Sequence, residues 1–394
     1  MHEPPLAGIR VLDLSRVLAG PSCTQTLADL GAEVWKIEHP AGGDDTRSWM
    51  PPDVGGESTY FMCCNRSKAS VALDLKSTEG QAIVRRLAAY ADVVVENFRL
   101  GALEAYGLDF ASLQAINPRL VYCSISGYGR SGPRADEGGY DFTIQAESGL
   151  MAITGEPEGE PMKLGVAISD LVTGMNAVQA ILAALFARQT TGRGQHLDIA
   201  LFDSAVALLA NVASGHLQTS AQSRRFGNAH ATVVPYQLFD TADGAFALAC
   251  GNDSQFRILC EQVLKRPDLS ADPRYARNRD RVLHRDTLIP LLQSLFAARG
   301  TEDWLKALRD AKVPAGKVRS VSDVFASEDV TARGLVEEVE DAVHGSLRLV
   351  RSPLRFSDTP LRPASAPPRL GQNTEEVLAW LAQQEQGPEK EQAG

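Results

Sequence analysis

The sequence lacks the cysteine spacing that marks metal centres and disulfide frameworks. No two of its six cysteines form a CxxC pair. They are Cys23, Cys63, Cys64, Cys123, Cys250 and Cys260. This distribution argues against structural zinc and against a disulfide-stapled secreted domain. We therefore expect no metal ion and reduced, mostly buried thiols.

Long apolar runs, targeting segments and clusters of positive charge are also missing. No window approaches the about 18 consecutive apolar residues that favour a membrane span. Residues 1–8 show neither a secretory signal nor an organelle presequence pattern. The formal net charge is −10 at pH 7, which disfavours nucleic acid and anionic membranes as partners. We expect a cytoplasmic protein with no nucleic-acid or membrane partner.

Two nucleotide-binding signatures are absent, although strand and helix patterns alternate. No GxGxxG follows the first predicted strand, and no GxxxxGK(S/T) occurs anywhere. Strands are predicted at 9–14, 34–37, 70–75, 92–96, 120–125 and 195–200, with helices between most of them. Such alternation predicts the α/β class, a doubly wound and mostly parallel Rossmann-like sheet with helices on both faces. The sheet is expected to bind some other ligand.

A chain of 394 residues is longer than one domain with a single hydrophobic core usually is, so we expect two domains. The polar run 220–225 marks a change of region, and a hairpin signal at Asp243-Gly244 precedes several helical patterns. We predict a large α/β domain at 1–225, with a linker helix from about 201, and a small α+β domain at 226–325. Residues 326–394 are predicted to return to the large domain, with a last helix near 374–384 and a disordered tail from 386.

One acidic residue stands at the start of a long apolar helical pattern. Asp170 precedes a run to Phe186 in which apolar residues recur at helical spacing and small residues fill the other faces. Such a helix is expected to be buried nearly all round. An Asp at a helix start is usually a cap, because its carboxylate accepts hydrogen bonds from backbone N–H groups. The alternative is a reactive carboxylate.

Eight short motifs, in order along nearly the whole chain, favour the second interpretation. They are Val11-Leu-Asp-Leu14 with Ala19-Gly-Pro21, Leu30-Gly-Ala-Glu-Val34 with Lys36-Ile-Glu38, Gly43-Asp-Asp-Thr-Arg47, Leu73-Asp-Leu-Lys76, Val95-Glu-Asn-Phe98, Ser126-Gly-Tyr-Gly129, the Asp170 stretch, and Thr191-Gly-Arg-Gly-Gln195. In these motifs the chain resembles the family III CoA-transferases, the group of formyl-CoA transferase, carnitine CoA-transferase and the α-methylacyl-CoA racemases.

This resemblance implies that Asp170 is the nucleophile. Its carboxylate would attack an acyl-CoA thioester to give a mixed anhydride, which CoA thiolate would convert into an aspartyl-CoA thioester. An incoming carboxylic acid would then displace CoA through a second anhydride. The resemblance also implies no cofactor beyond CoA, bound as the acyl-CoA substrate, and a homodimer of interlocked chains.

By position in the matching motifs, the resemblance implies a set of CoA-binding residues. They are Val17, Leu18, His39, Leu73, Lys76, Asn97, Phe98, Arg99, Ala102 and Tyr140. Lys76 and Arg99 suit phosphate groups, although a charged residue after a strand is more often simply solvated. His39 and Ala105 stand where the formyl-CoA branch has arginines, so the phosphate contacts are expected to differ.

Two departures from the family pattern narrow the expected reaction. Tyr140 stands where the racemase branch has His, and a phenol with a pKa near ~10 is a poor base for α-proton exchange. Packing of the Tyr140 ring at a turn is the other interpretation. Residues 250–255 replace the polyglycine loop of formyl-CoA transferase, which disfavours oxalate as substrate.

Further motifs resemble the branch of succinate–hydroxymethylglutarate CoA-transferase and the succinyl-CoA-dependent malate or citramalate transferases. They are 43–49 with 51–52, 57–60, 128–133, and 229–230 with 234–237. Substrates of that branch carry a second carboxylate. Arg47 and His230 are the candidates for holding it, with a structural ion pair or hydrogen bond as the alternative for each.

We therefore predict a CoA-transferase that exchanges CoA between an acyl-CoA such as succinyl-CoA and a dicarboxylic or hydroxy-dicarboxylic acid. The sequence does not name the acceptor acid. A racemase or isomerase of the same family, a formyl-CoA:oxalate-type transferase and a non-catalytic acyl-CoA-binding protein are the alternatives.

Overall fold

The chain alternates strands and helices through its first half and is mostly helical after residue 250. The computed structural model describes residues 2–386. The strands are β1 (Arg10–Asp13), β2 (Glu33–Glu38), β3 (Asp53–Val54), β4 (Glu57–Ser58), β5 (Ala69–Ala72), β6 (Val93–Glu96), β7 (Val121–Ser126), β8 (His196–Ala200), β9 (Tyr236–Asp240), β10 (Ala245–Ala249), β11 (Ala315–Lys317), β12 (Val336–Asp341) and β13 (Gly345–Val350).

The α-helices fill most of the remaining chain. They are α1 (Ala19–Asp29), α2 (Thr59–Met62), α3 (Thr78–Ala88), α4 (Phe110–Ile116), α5 (Asp141–Glu147), α6 (Leu150–Ile153), α7 (Ile168–Thr191), α8 (Leu201–Ala207), α9 (Ala210–Thr219), α10 (Asp253–Ile258), α11 (Pro267–Ala271), α12 (Asn278–Leu283), α13 (Arg285–Phe296), α14 (Thr301–Asp310), α15 (Val321–Phe325), α16 (Glu328–Ala332) and α17 (Thr374–Gln386). Single turns of 3-10 helix lie at Asp45–Ser48 and Glu104–Tyr106, and a π-helical turn, Leu259–Val263, continues α10.

Six of the strands form one parallel sheet. Their order across the sheet is β5-β2-β1-β6-β7-β8, and every neighbouring pair is parallel. Counted within this sheet alone, the order is 3-2-1-4-5-6, the doubly wound arrangement of Rossmann-like folds. The predicted α/β fold with a doubly wound, mostly parallel sheet is therefore confirmed.

Alternate residues of the central strands enter two apolar layers, one on each face of the sheet. In β6, Val93 and Val95 pack in the first layer and Val94 packs in the second, as the period of two in a strand requires. Helices α1 and α7 cover the first layer, and α3, α4 and α17 cover the second. Burial on both faces explains why these strands are continuous apolar runs.

Helix α7 is the longest helix of the described residues and the one whose length and composition alone would suit a bilayer. Its inner side, including Ala177 and Ile181, is buried in the first layer. Met175 and Phe186 on its outer side are 61% and 76% exposed. The prediction that this helix is buried nearly all round is therefore wrong for a single chain, because the neighbouring elements cover one side only. The absence of a membrane partner stays a prediction.

A second compact unit consists of residues 151–163 and 221–332, and the remaining described residues form the first. The second unit holds the antiparallel sheet β11-β10-β9 and helices α10 to α14 around one apolar core. Residues 151–163 fall inside the large domain in the predicted division at 225 and 325. They join the second unit because Arg225 donates hydrogen bonds to the carbonyl oxygens of Glu156 and Gly159, at 3.0 and 2.7 Å.

The C-terminal segment is bound along β5, the edge strand of the large sheet. The N–H of Asn373 donates to the carbonyl oxygen of Ser70, and the N–H of Ala72 donates to Oγ1 of Thr374, both at 2.9 Å. Helix α17 begins there, where the last helix is predicted, and packs into the second layer. Beyond residue 386 the predicted disordered tail lies outside the described residues.

Candidate active site

A cavity opens at the carboxyl edge of the sheet, next to the central strands β1 and β6. These two strands are neighbours, and the strand order reverses between them. Doubly wound sheets bind ligands at such a point, because the chain leaves the two strands in opposite directions and opens a crevice. Residues 16–18 after β1, and residues 97–100 and 102 after β6, contribute to the lining of a cavity of about 410 Å³, together with Asp170 of α7.

Eight of the predicted site residues line this cavity together. They are Val17, Leu18, Asn97, Phe98, Arg99, Ala102, Tyr140 and Asp170. They come from four separate stretches of chain, which the sheet topology and the start of α7 bring to one place. The fold thus groups most of the predicted residues, while the role of each stays a prediction.

Asp170 lies in the first turn of α7, but another residue binds the exposed backbone of that helix start. Helix α7 begins at Ile168, and its N-cap, Ala167, makes no side-chain hydrogen bond. Instead, Oδ1 of Asp141 accepts a hydrogen bond from the N–H of Ser169 at 2.8 Å. The capping function proposed for Asp170 as the alternative is therefore performed by Asp141.

The carboxyl group of Asp170 is held in an environment that disfavours its charge. The residue is only 9% exposed. Burial, together with the nearby negative charge of Asp141, raises the pKa of Asp170 from 3.8 to about 7. The favourable field at a helix N-terminus acts in the opposite direction, so burial is the larger effect. A carboxyl group with a strongly raised pKa in a cleft is a typical property of a catalytic acid, base or nucleophile.

The loops after β1 and β6 are fixed to each other by one amide side chain. Oδ1 of Asn97 accepts from the N–H of Arg16 at 2.9 Å, and Nδ2 of Asn97 donates to the carbonyl oxygen of Arg16 at 2.7 Å. Asn97 lines the cavity, but its side-chain donor and acceptor both bind the protein. Asn97 therefore fixes the wall of the cavity, and its predicted contact with CoA stays a prediction.

A buried ion pair between Lys36 and Asp44 supports Val17, another residue of the cavity wall. Val17 has a φ of +73°, a left-handed conformation that is strained for a β-branched residue. Its N–H donates to the carboxylate of Asp44 at 3.2 Å, and the same carboxylate accepts from Nζ of Lys36 at 2.9 Å. Burial alone would raise the pKa of Asp44, but the charge of Lys36 lowers it. The carboxylate therefore stays ionised and can hold Val17.

A second cavity, of about 330 Å³, adjoins the first. Three further predicted CoA residues line it: His39, Leu73 and Lys76. Arg16 and Phe98 line both cavities, and the Arg16 guanidinium lies 5.4 Å from the centre of the Phe98 ring. The two cavities thus meet at this pair.

Two tyrosines belong to the surroundings of Asp170. Tyr140 is 69% exposed, so packing of its ring at a turn does not describe it. Burial, followed by the negative charge of Asp170, raises the pKa of Tyr60 to about 12, so that phenol keeps its proton at neutral pH. The sequence reasoning used the stretch 57–60 only as a mark of a branch and missed Tyr60.

Arg47 does not line the cavity with Asp170. Its Nε and Nη2 donate to the two carboxylate oxygens of Glu38, each at 2.8 Å, and Nη2 also donates to the carbonyl oxygen of Pro368 at 3.0 Å. The guanidinium lies 3.6 Å from the centre of the Phe61 ring, and the side chain is 9% exposed. Of the two interpretations of Arg47, this geometry is that of a structural ion pair.

His230 belongs to the second unit. Its Nδ1 accepts a hydrogen bond from the N–H of Thr232 at 3.1 Å, and its ring lies 5.3 Å from that of Tyr236. The prediction that His230 holds a substrate carboxylate stays a prediction.

Arg16 is a further cation of the site that the sequence reasoning missed. It follows the first predicted strand by two residues, and the carboxyl ends of adjacent parallel strands are where a doubly wound sheet binds its ligand. This position after the first strand could have indicated Arg16 as a ligand-binding residue. Arg16 is exposed and forms an ion pair with Asp45 at 3.2 Å.

Comparison with known proteins identifies the family of this chain. Residues 6–374 match the family described as CoA-transferase family III. The succinate–glutarate CoA-transferase of Agrobacterium fabrum is 47% identical over 96% of this chain and 96% of that protein. The succinyl-CoA:glutarate CoA-transferase of Mus musculus is 43% identical over 97% of this chain and 88% of that protein. A crystal structure of a CaiB/BaiF family protein from Brucella suis has a TM-score of 0.85 at 46% identity, covering 96% of this chain and 100% of that chain.

A doubly wound sheet with a buried carboxylate at its switch point, in a chain with these relatives, defines a CoA-transferase. The chain belongs to CoA-transferase family III. The family predicted from the sequence motifs is therefore confirmed, and so is the prediction of an enzyme that transfers CoA.

Proposed function

We propose that this enzyme exchanges CoA between succinyl-CoA and a dicarboxylic acid, with Asp170 as the nucleophile. The observation that carries the proposal is the buried Asp170 carboxyl, with its pKa raised to about 7, in the cavity that the predicted CoA residues line. The substrate class is supported by the names of the two relatives, which contain succinate or succinyl-CoA, and glutarate.

The reaction begins at the thioester carbonyl carbon. A carboxylate oxygen of Asp170 bonds to that carbon, the C–S bond breaks, and CoA leaves as the thiolate with the bonding electron pair. The thiolate then attacks the aspartyl carbonyl carbon of the mixed anhydride and expels succinate, which leaves an aspartyl-CoA thioester. Each step exchanges one activated acyl bond for another, so no ATP is needed.

The second half of the reaction repeats these steps in reverse order with the acceptor acid. The acceptor carboxylate attacks the aspartyl-CoA thioester, which releases CoA thiolate and forms a second anhydride. The thiolate attacks the acceptor carbonyl of that anhydride, and Asp170 leaves as the free carboxylate. The product is the CoA thioester of the acceptor, and the enzyme is restored.

Burial of Asp170 suits this chemistry in two ways. It keeps water away from an anhydride and a thioester, both of which hydrolyse. It also makes the carboxylate more basic, and therefore a stronger nucleophile once ionised. A pKa of about 7 still leaves a large ionised fraction at neutral pH.

The two adjoining cavities provide a path for acyl-CoA. The acyl end is placed at Asp170, and the phosphate-bearing end extends past Arg16 and Phe98 toward Lys76. Arg16 and Lys76 supply positive charge along this path, which suits the phosphate groups of CoA. Arg99 also lines the cavity with Asp170 and is a cation for the second carboxylate of a dicarboxylic acid. A monoacid lacks this pairing, which is worth about 0.2–1 kcal/mol because Arg99 is exposed.

The proposal is tested with succinyl-CoA and a panel of succinate, glutarate, malate, oxalate and butyrate. We expect new CoA thioesters of the C4 to C6 dicarboxylic acids, and a CoA adduct on the peptide that contains Asp170, both detected by mass spectrometry. Asp170→Asn and Asp170→Ala should abolish both. The matched control is Asp203→Asn, because Asp203 occupies the same position in the first turn of α8 but is exposed. Transfer that survives in Asp170→Ala would rule out this nucleophile.

The same experiment separates the alternatives. Exchange of deuterium into the α-carbon without new thioesters would indicate a racemase or isomerase. Preference for oxalate would indicate a formyl-CoA:oxalate-type enzyme, and tight CoA binding without either reaction would indicate a binding protein. Equal turnover of butyrate and succinate would remove the dicarboxylate claim and leave CoA transfer standing.

We also propose a homodimer of interlocked chains. Apolar side chains on the outer sides of α7 and α9 support it, since Met175, Phe186 and Leu217 are 61%, 76% and 76% exposed, and exposed apolar surface of this kind marks contact sites. Light scattering at micromolar concentration should give twice the chain mass. A monomeric mass would contradict the proposal.

A further inference from the structure

Next to the Phe98 turn, a charged pair joins the ends of two neighbouring strands. Glu96 is the last residue of β6, and Arg130 follows β7. Nη2 of Arg130 donates to Oε1 of Glu96, and the two side chains are 15% and 2% exposed. Charged groups are seldom buried in this way unless they are paired. None of the chemistry described above uses this pair.

The pair holds Phe98 by the peptide groups on both sides of that residue. The N–H of Phe98 donates to Oε2 of Glu96 at 2.8 Å, and Nη2 of Arg130 donates to the carbonyl oxygen of Phe98 at 3.3 Å. Arg130 is itself anchored, because its backbone N–H donates to Oδ2 of Asp198 in β8 at 2.9 Å. A single ion pair therefore connects the Phe98 turn to two other strands of the sheet.

Phe98 connects the Glu96–Arg130 pair to the candidate active site. Its side chain lines both the cavity with Asp170 and the cavity with Lys76, and it lies beside Arg16. A turn that moved freely would have to be ordered each time a ligand bound across the two cavities. Ordering of that kind lowers affinity, whereas a turn that is already held does not incur this loss.

We propose that Glu96 and Arg130 are positioning residues that fix the Phe98 turn for binding of acyl-CoA. The inference rests on the proposed function, because it assumes that CoA lies along the two cavities. Neither residue is placed in contact with the reacting atoms. Their loss should therefore weaken CoA binding and raise the KM for succinyl-CoA, while kcat at saturation and the KM for the acceptor acid change little.

The experiment measures binding of free CoA by calorimetry, succinyl-CoA kinetics and melting temperature for wild type, Glu96→Gln, Arg130→Lys, Arg130→Met and the double variant Glu96→Gln/Arg130→Met. We expect Arg130→Met to bind CoA at least about tenfold more weakly. Nη2 of Arg130 donates both to Glu96 and to the Phe98 carbonyl oxygen. Arg130→Lys keeps a charge beside Glu96 but places its ammonium on a shorter side chain, so an intermediate affinity is expected. Arg86→Met is the matched control, since Arg86 forms an exposed ion pair with Glu385.

The double variant distinguishes positioning from mere stabilisation. Removing one member of the pair leaves a buried unpaired charge and lowers the melting temperature, and removing both charges should restore much of it. The Phe98 carbonyl oxygen has lost its Arg130 donor in the double variant, so its CoA affinity should stay low. Recovery of affinity together with melting temperature would overturn the inference in favour of a structural role.

Glu96→Gln keeps the test decisive if Arg130→Met does not fold, because Gln is nearly isosteric with Glu. CoA affinity of folded Glu96→Gln and Arg130→Lys within twofold of wild type would also overturn the inference. These outcomes differ from failure of the proposed function, in which the wild-type enzyme itself would neither bind CoA nor form new thioesters.

Discussion

Gly174 of helix α7 packs directly against the backbone of Ala19 in helix α1. A β-carbon placed on Gly174 would lie 2.8 Å from the carbonyl oxygen of Ala19 and 2.3 Å from Oγ of Ser22. Gly174 stands one helical turn after Asp170, so this contact sets how closely Asp170 approaches Leu18 and Ala19, which line the same cavity. The absence of a side chain at one position thus determines where the carboxylate lies.

Gly174→Ala should destabilise the protein by about 1–3 kcal/mol and reduce transfer activity. An exposed helical Gly→Ala change normally has the opposite sign, because it stabilises a helix by roughly 0.5–1 kcal/mol. Here the added methyl must push α7 away from α1 and displace Asp170. Chemical denaturation and steady-state kinetics measure the two effects. Gly215→Ala in α9 is the control, since a β-carbon there meets nothing within 4 Å, and a stable, fully active Gly174→Ala would refute the packing argument.

The rate of the first half-reaction should depend on the ionisation of Asp170. Its pKa is raised to about 7, and only the carboxylate attacks the thioester. Below pH 7, kcat/KM for succinyl-CoA should therefore fall about tenfold per pH unit, and above pH 7 it should level off. Initial rates between pH 5.5 and 9 measure this profile. A profile that is flat down to pH 5 would mean that Asp170 ionises at its ordinary pKa.

Asp170→Asn should stabilise the protein at pH 8 while abolishing transfer. The folded-state pKa of Asp170, about 7, lies above the unfolded value of 3.8. The unfolded chain therefore ionises first, and the wild type loses stability as pH rises from about 4 to 7, by at most about 4 kcal/mol. The Asn side chain does not ionise, so the variant does not lose this stability as pH rises. Denaturation curves at pH 4.5 and pH 8 should show the gain mainly at pH 8, and an equal or reversed difference at the two pH values would contradict it.

Arg47→Met should lower stability without changing the choice of acid. Arg47 and Glu38 are 9% and 1% exposed, and leaving one member of such a pair alone costs about 3–5 kcal/mol. The ratio of kcat/KM for succinate to that for butyrate should stay as in the wild type. The double variant Glu38→Gln/Arg47→Met serves as control and should regain part of the stability. A collapse of the ratio in Arg47→Met would instead assign the substrate carboxylate to Arg47.

Local patterns predicted much of the fold, and the family resemblance singled out Asp170 as the proposed nucleophile. Continuous apolar runs predict strands buried on both faces, and the alternation with helices predicts the parallel sheet. That topology brings the ends of β1 and β6 together, so residues 80 positions apart meet in one cavity. The apolar period after Asp170 marks the helix start, but only the resemblance to the family favours a reactive carboxylate over a cap at that position.

Choices between competing partners could not be predicted in the same way. Whether Arg47 binds a substrate or Glu38 depends on a side-chain geometry that spacing does not encode. The capping of α7 by Asp141 and the positive φ of Val17 depend on contacts made only after the sheet has formed. Residues 151–163 join the second unit through hydrogen bonds from the Arg225 side chain to backbone carbonyl oxygens. No periodicity in the local sequence predicts these hydrogen bonds.

The C-terminal segment that covers β5 is synthesised long after β5 itself. The N–H of Ser70 donates to Oδ1 of Asn373 across 303 positions. At about 5–20 residues per second, roughly 15–60 s separate synthesis of the two partners. Throughout that interval the outer edge of β5 is an unpaired strand, which can join the edge of another nascent chain. Slow translation of the middle of the message would therefore lengthen the period in which neighbouring chains on one polysome can aggregate.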